Sequence, residues 1–148
     1  MLFRIKEIRL KLGLTQSQMA NLLNVTRSAY SLWGLEKNII PLVKLCEFSN
    51  TFKISLDYIT KLSNDNNFNH NVILNKKELG KKIKVIRKQK NLTQEKLAKI
   101  LNTTHSAISA YENGVTLIPT IFLLDICKVT NKSMNWCFNN TKEIKVAT

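Results

Sequence analysis

The chain has 148 residues, 44% hydrophobic and 7% aromatic, with a formal net charge of +13 from 23 Lys and Arg against 10 Asp and Glu. That length suits one domain or two small ones. No apolar run reaches the ~18 residues of a membrane helix, and the opening MLFRIKEIRLKL interleaves charge too closely for a secretory apolar segment, so a cytoplasmic protein with no membrane partner is expected. The basic excess is +5 over residues 1–62 and +7 over residues 78–148. It therefore belongs to folded surfaces rather than to a tail, and nucleic acid is the expected polyanionic partner.

Enzyme chemistry finds little to work with. Asp57, Asp65 and Asp125 are isolated, and the four glycines form no phosphate-cradling loop. Cys46, Cys127 and Cys137 have no metal-ligand spacing, and His70 and His105 do not complete one. The expectation is free, buried thiols in a reducing compartment, with no metal, no cofactor, no catalytic residue and no enzymatic activity.

In chain order, residues 2–12 place Ile5, Ile8 and Leu12 at helical spacing. Gly13 follows, tolerant of the left-handed backbone that ends many helices. Thr15 stands where an N-cap belongs, and Gln18 three residues on completes a capping box. A second helix runs over about 15–23 and breaks at Asn24, a residue that accepts positive φ. Thr26 caps a third helix. A fourth begins near Pro41, with proline suited to the first helical position, and a fifth near Ser55. Met19, Leu22, Leu23, Tyr30 and Trp33 are the expected core positions. The stretch SNDNNFNHNVILNKK, residues 63–77, reads as a polar linker. Fully extended it reaches roughly 50 Å at ~3.3 Å per residue, and VIL at 72–74 is apolar enough to dock on a domain.

Then the pattern returns. Residues 5–62 align with 83–140 without a gap, and 18 of the 58 positions are identical. A helix is expected over 80–90, Asn91 takes the place of Gly13, Thr93 that of Thr15, Asn102 that of Asn24, Thr104 that of Thr26, Pro119 that of Pro41 and Ser133 that of Ser55. Lys96 stands where Gln18 does, so the second copy lacks the capping box. Two copies are too few for a solenoid. No stretch alternates long enough for a strand. The expected fold class is all-α, with five-helix domains at 1–62 and 78–142, a linker at 63–77 and a tail at 143–148.

The segments LTQSQMANLLNVTRSAYSLW and LTQEKLAKILNTTHSAISAYENG resemble the helix-turn-helix of the phage repressor and Cro proteins, the XRE family. The resemblance covers nearly all of both repeats. It implies a transcription regulator, most often a repressor, that reads double-stranded DNA in the major groove with the third helix of each domain. On that resemblance, Arg27, Ser28 and Leu32 in the first repeat and His105, Ser106 and Ala110 in the second contact bases. Gln16, Thr26, Ser31, Lys37, Asn38, Gln94, Thr104, Ser109 and Asn113 contact phosphate, with Asn113 and Gly114 in a loop similar to that of Lys37 and Asn38. The threonines serve equally as helix caps.

The resemblance also implies an ion pair between Arg87 and the Glu of Tyr111-Glu112-Asn113-Gly114. The first repeat departs here, with Trp33-Gly34-Leu35-Glu36. Arg9 thus lacks a partner at Gly34, Glu36 is the acid in reach, and an altered loop after the third helix is expected. Both a homodimer and an intrachain pseudo-dimer are open readings. So is an antitoxin or anti-repressor role with a protein partner.

Overall fold

A computed structural model describes residues 1–138; the expected end of the second domain at 142 and the tail 143–148 lie outside the described residues. All regular structure among the described residues is helical. The chain divides into two compact units, Met1–Val72 and one beginning at Ile73.

The first unit contains α1 (Ile5–Leu12), α2 (Gln16–Leu22), α3 (Arg27–Gly34), α4 (Leu42–Phe52) and the short α5 (Leu56–Ile59). The second contains α6 (Lys76–Gln89), α7 (Gln94–Leu101), α8 (His105–Glu112), α9 (Thr120–Thr130) and a 3-10 turn, Asn135–Phe138, where a fifth helix was expected. Ser133 caps that turn as Ser55 caps α5: its hydroxyl accepts from Trp136 N, as Ser55 accepts from Tyr58 N.

Punctuation by single residues positions these helices. Gly13 ends α1 with φ +68° and Asn91 follows α6 with φ +56°. Thr15 accepts from Gln18 N while Gln18 accepts from Thr15 N, closing the capping box; Thr93 accepts from Lys96 N alone. Pro41 and Pro119 are N-caps with extended backbone (φ −61°) rather than first helical residues, one position earlier than expected. That backbone is the one their rings favour outside a helix.

Each unit has its own core. Ile5, Met19, Leu23, Tyr30, Leu45, Phe48 and Ile59 are almost wholly buried in the first; Ile83, Leu97, Ile108, Leu123 and Ile126 are so in the second. Each such side chain contributes about 1.5–3 kcal/mol of transfer free energy. Leu22, expected in the core, is 50% exposed, and its counterpart Ile100 is 46% exposed. Met19 and Leu23 are four residues apart and share a face; Leu22 is turned ~100° away from it.

The expected linker is mostly not free chain. Asn50 donates to Val72 O (2.8 Å) and accepts from Val72 N (2.6 Å), its amide standing in for a strand partner. Asn66 accepts from Ser55 N at 2.8 Å, and Lys53 reaches Asn71 and the face of Phe68. Val72 is buried on the first unit while Ile73 is exposed. At the other end Asn75 caps α6, accepting from Lys77 N and Glu78 N, so that helix begins four residues before its expected start. Asn66 and Asn75 of the segment itself, with Asn50 on α4, are what fasten it. Ile73 and Leu74 are the residues between Val72 and the Asn75 cap.

Gly80 explains why α6 extends without collision. A Cβ there would lie 2.4 Å from Tyr111 O and 2.6 Å from Glu112 O, so α6 meets the end of α8 backbone to backbone.

Candidate nucleic-acid interface

The two helix-turn-helix elements are α2–α3 and α7–α8. The turn closes the same way in both. Val25 N donates to Ala20 O (3.0 Å) and Thr103 N to Ala98 O (2.9 Å), with Asn24 at φ +55° and Asn102 at φ +56°. Ala20 and Ala98 are 2% and 4% exposed, small residues under the following helix. Thr26 and Thr104 then cap α3 and α8, accepting from Ala29 N and Ala107 N at 3.1 Å. Each hydroxyl keeps its own proton to donate, so capping leaves a phosphate contact open.

The caps set the first turn of α3 and α8 facing solvent. Arg27 and Ser28, and His105 and Ser106, are exposed. Leu32 and Ala110, one turn further, are half-buried, as are Ser31 and Ser109. Gln16 and Gln94 are half-buried at the first position of α2 and α7, and Lys37, Asn38 and Asn113 are exposed. Asn113 donates to Ser109 Oγ at 3.3 Å. The structure therefore gathers the expected residues around the start of the third helix, the start of the second, and the following loop in each unit.

In the second unit these residues are wired together. Arg87 Nε donates to Glu112 Oε2 (2.7 Å) and Nη2 to Oε1 (3.0 Å), a buried bidentate pair, while Nη1 holds Leu92 O at 2.8 Å. Gln94 Nε2 donates to Glu112 Oε1 at 3.2 Å, and its Oε1 lies 2.7 Å from His105 Nε2. An amide oxygen only accepts, so Nε2 of His105 is the protonated nitrogen and Nδ1 is the one left for another partner. Sequence reasoning placed Gln94 and His105 separately; no spacing rule joins the first residues of two successive helices.

The first unit lacks this wiring. Arg9 Nη1 holds Leu14 O at 2.9 Å, the counterpart of the Arg87 bond. Glu36 does not reach Arg9: its Oε1 accepts from Phe3 N at 3.0 Å. The Tyr30 hydroxyl is buried with no hydrogen-bond partner among the described residues, at a cost of about 1–3 kcal/mol. Burial pushes that hydroxyl up to about 12, with the Arg9 charge pulling the other way.

The loop after α3 is not altered, contrary to expectation. Lys37 N and Asn38 N both donate to Leu32 O, as Val115 N and Thr116 N both donate to Ala110 O. Glu36 takes φ +56° where Gly114 takes +70°. Thus Lys37 and Asn38 correspond to Val115 and Thr116, and Asn113 corresponds to Leu35. The backbone bonds to one carbonyl fix the loop; Glu36 accepts a left-handed backbone that costs about 1–2 kcal/mol for a side chain and offsets part of it through Phe3. Another repeated contact escaped the sequence reading. Arg4 lies 4.4 Å over the Tyr58 ring, and at the same offset Lys82 lies 4.2 Å over Trp136.

Comparison with known proteins agrees with the doubled architecture. The helix-turn-helix family (HTH_3) matches residues 5–59 and again 83–137. The antitoxin PezA of Streptococcus pneumoniae serotype 4 (strain ATCC BAA-334 / TIGR4) is 38% identical over 55 residues, 37% of this chain. The match spans only 35% of that relative's length. The clp gene regulator ClgR from C. glutamicum has a solved structure that aligns with a TM-score of 0.41 and 21% identity, over 45% of this chain and 86% of that one. The chain belongs to the helix-turn-helix family of the XRE, or Cro/C1, type. It carries two tandem helix-turn-helix domains. Among the described residues no helix is long and apolar enough to cross a membrane.

Proposed function

We propose that the protein is a sequence-specific repressor that acts by binding double-stranded DNA, not by catalysis, and reads unlike half-sites with α3 and α8. The observation that carries this reading is one scaffold with two reading surfaces. Caps, turns and loops repeat at a constant offset, while the exposed first turn changes from Arg27-Ser28 to His105-Ser106. Arg27 is suited to bidentate contact with guanine. His105, held through Nε2, offers Nδ1 to a base edge. Leu32 and Ala110 suit a thymine methyl. Gln16, Thr26, Ser31, Lys37, Asn38, Gln94, Thr104, Ser109 and Asn113 ring these positions as phosphate partners. Buried cysteines at Cys46, Cys127 and Cys137 fit a cytoplasmic setting.

Selection from a randomised duplex pool at near-physiological salt tests the proposal. A bipartite motif with unlike halves is expected, and Arg27→Ala and His105→Ala should each relax one half. A perfect palindrome would assign reading to one domain of a homodimer, and no enrichment would overturn sequence-specific reading. The match to an antitoxin favours a second reading, in which one domain binds a protein partner. A stoichiometric partner that co-purifies from the native host and lowers DNA affinity would support it.

A further inference from the structure

The clearest difference between the repeats is a missing carboxylate. In the second unit, Glu112 closes α8 onto α6 by filling the free edge of the Arg87 guanidinium. In the first unit, Arg9 is held by the same backbone carbonyl position, Leu14 O, as Arg87 is by Leu92 O. Its Nε and Nη2 are the edge that in Arg87 grips Glu112, and among the described residues they have no partner. Position 34 on α3, the counterpart of Glu112, is a glycine, and a Cβ there would meet nothing within 4 Å. One helical turn earlier, on the same face, the Tyr30 hydroxyl is fully buried and also lacks an acceptor among the described residues. Arg9 is half-exposed where Arg87 is buried, so this edge is open to solutes.

We propose that this notch, formed by Arg9 and the open space at Gly34, binds the carboxylate of a small organic acid. The anion takes the place that the Glu112 carboxylate fills in the second unit. Arg9 supplies two parallel donors, a geometry matched to the two oxygens of a carboxylate. Bound there, a carboxylate ties α1 to the end of α3. The binding step does not depend on the proposed DNA reading.

The test is nuclear magnetic resonance on the isotope-labelled full chain, following the Arg9 Nε–Hε signal. Sodium formate and sodium acetate are titrated against sodium chloride and sodium phosphate at constant ionic strength. The expected result is a saturable shift with formate or acetate and only slight drift with chloride. In Gly34→Glu the signal should start near the bound position and no longer respond. Thermal stability gives the second readout: the first-unit transition should rise with formate in the wild type and stay flat in Gly34→Glu. Equal drift in all salts, or an undiminished response in Gly34→Glu, overturns the proposal. A saturable response to phosphate equal to that for formate overturns the assignment to carboxylates.

Discussion

The Arg87–Glu112 pair shows how much a single side chain can hold. Its two charges are buried and satisfied by each other, by Leu92 O and by Gln94. Glu112→Ala would leave the guanidinium buried and uncompensated, so a loss of about 3–5 kcal/mol is expected, measurable by urea unfolding. Arg9→Met should cost much less, because no carboxylate among the described residues depends on Arg9. Alkaline pH probes two other buried groups. Burial pushes the Tyr30 hydroxyl up to about 12 from 10.0, and burial with the Glu47 charge pushes the Cys46 thiol up to about 12 from 9.0. The unfolded chain releases these protons at lower pH than the folded chain does. Stability from them is therefore complete below pH 9 and declines as pH rises through 9–12. A Tm series across that range should fall, and Tyr30→Phe, which also removes an unsatisfied hydroxyl, should flatten part of the fall.

At the scale of the element, helix ends were legible and contacts between helices were not. Thr15, Thr26, Thr93 and Thr104 cap where their residue type and spacing place them, and Asn24, Asn91 and Asn102 take the left-handed backbone. These are local effects, decided within four residues. Thr26→Ala should cost about 1 kcal/mol and loosen the start of α3, read as faster hydrogen exchange at Ala29. Gly80 was silent in the sequence because its role depends on Tyr111 and Glu112, some thirty residues on. Gly80→Ala should destabilise the second unit by about 1–3 kcal/mol as α6 is pushed off α8, measured by chemical denaturation. The loop after α3 misled for the opposite reason: its residues change, but its bonds are made by backbone groups that ignore side-chain identity.

At the scale of the whole molecule, the repeat announced two domains, and the composition of residues 63–77 concealed how much of that segment is fastened. Asparagine is common in loose polar chain, yet Asn66 and Asn75 of this segment each satisfy a backbone group, and Asn50 on α4 satisfies Val72. The candidate base-reading residues were legible only through resemblance; their exposure and grouping came from the fold. If both units engage DNA with ~6–8 phosphate contacts, affinity plotted against salt on logarithmic axes should slope about −5 to −7. Lys37→Ala should reduce that slope by about 1 without changing the selected sequence. A slope near half the full value would assign binding to one unit.

The chain has two tryptophans, and the units have one each. Trp33 is 7% exposed near the end of α3, while Trp136 is half-exposed between Lys82 and Lys132. Their indoles sit in unlike surroundings, so their emission spectra should differ, the Trp33 band lying to the blue. Replacing either by Phe leaves a full-length protein whose fluorescence reports on one unit alone. The duplicated scaffold thus contains two optical labels, and each half of the chain can be watched while the other is occupied, melted or mutated.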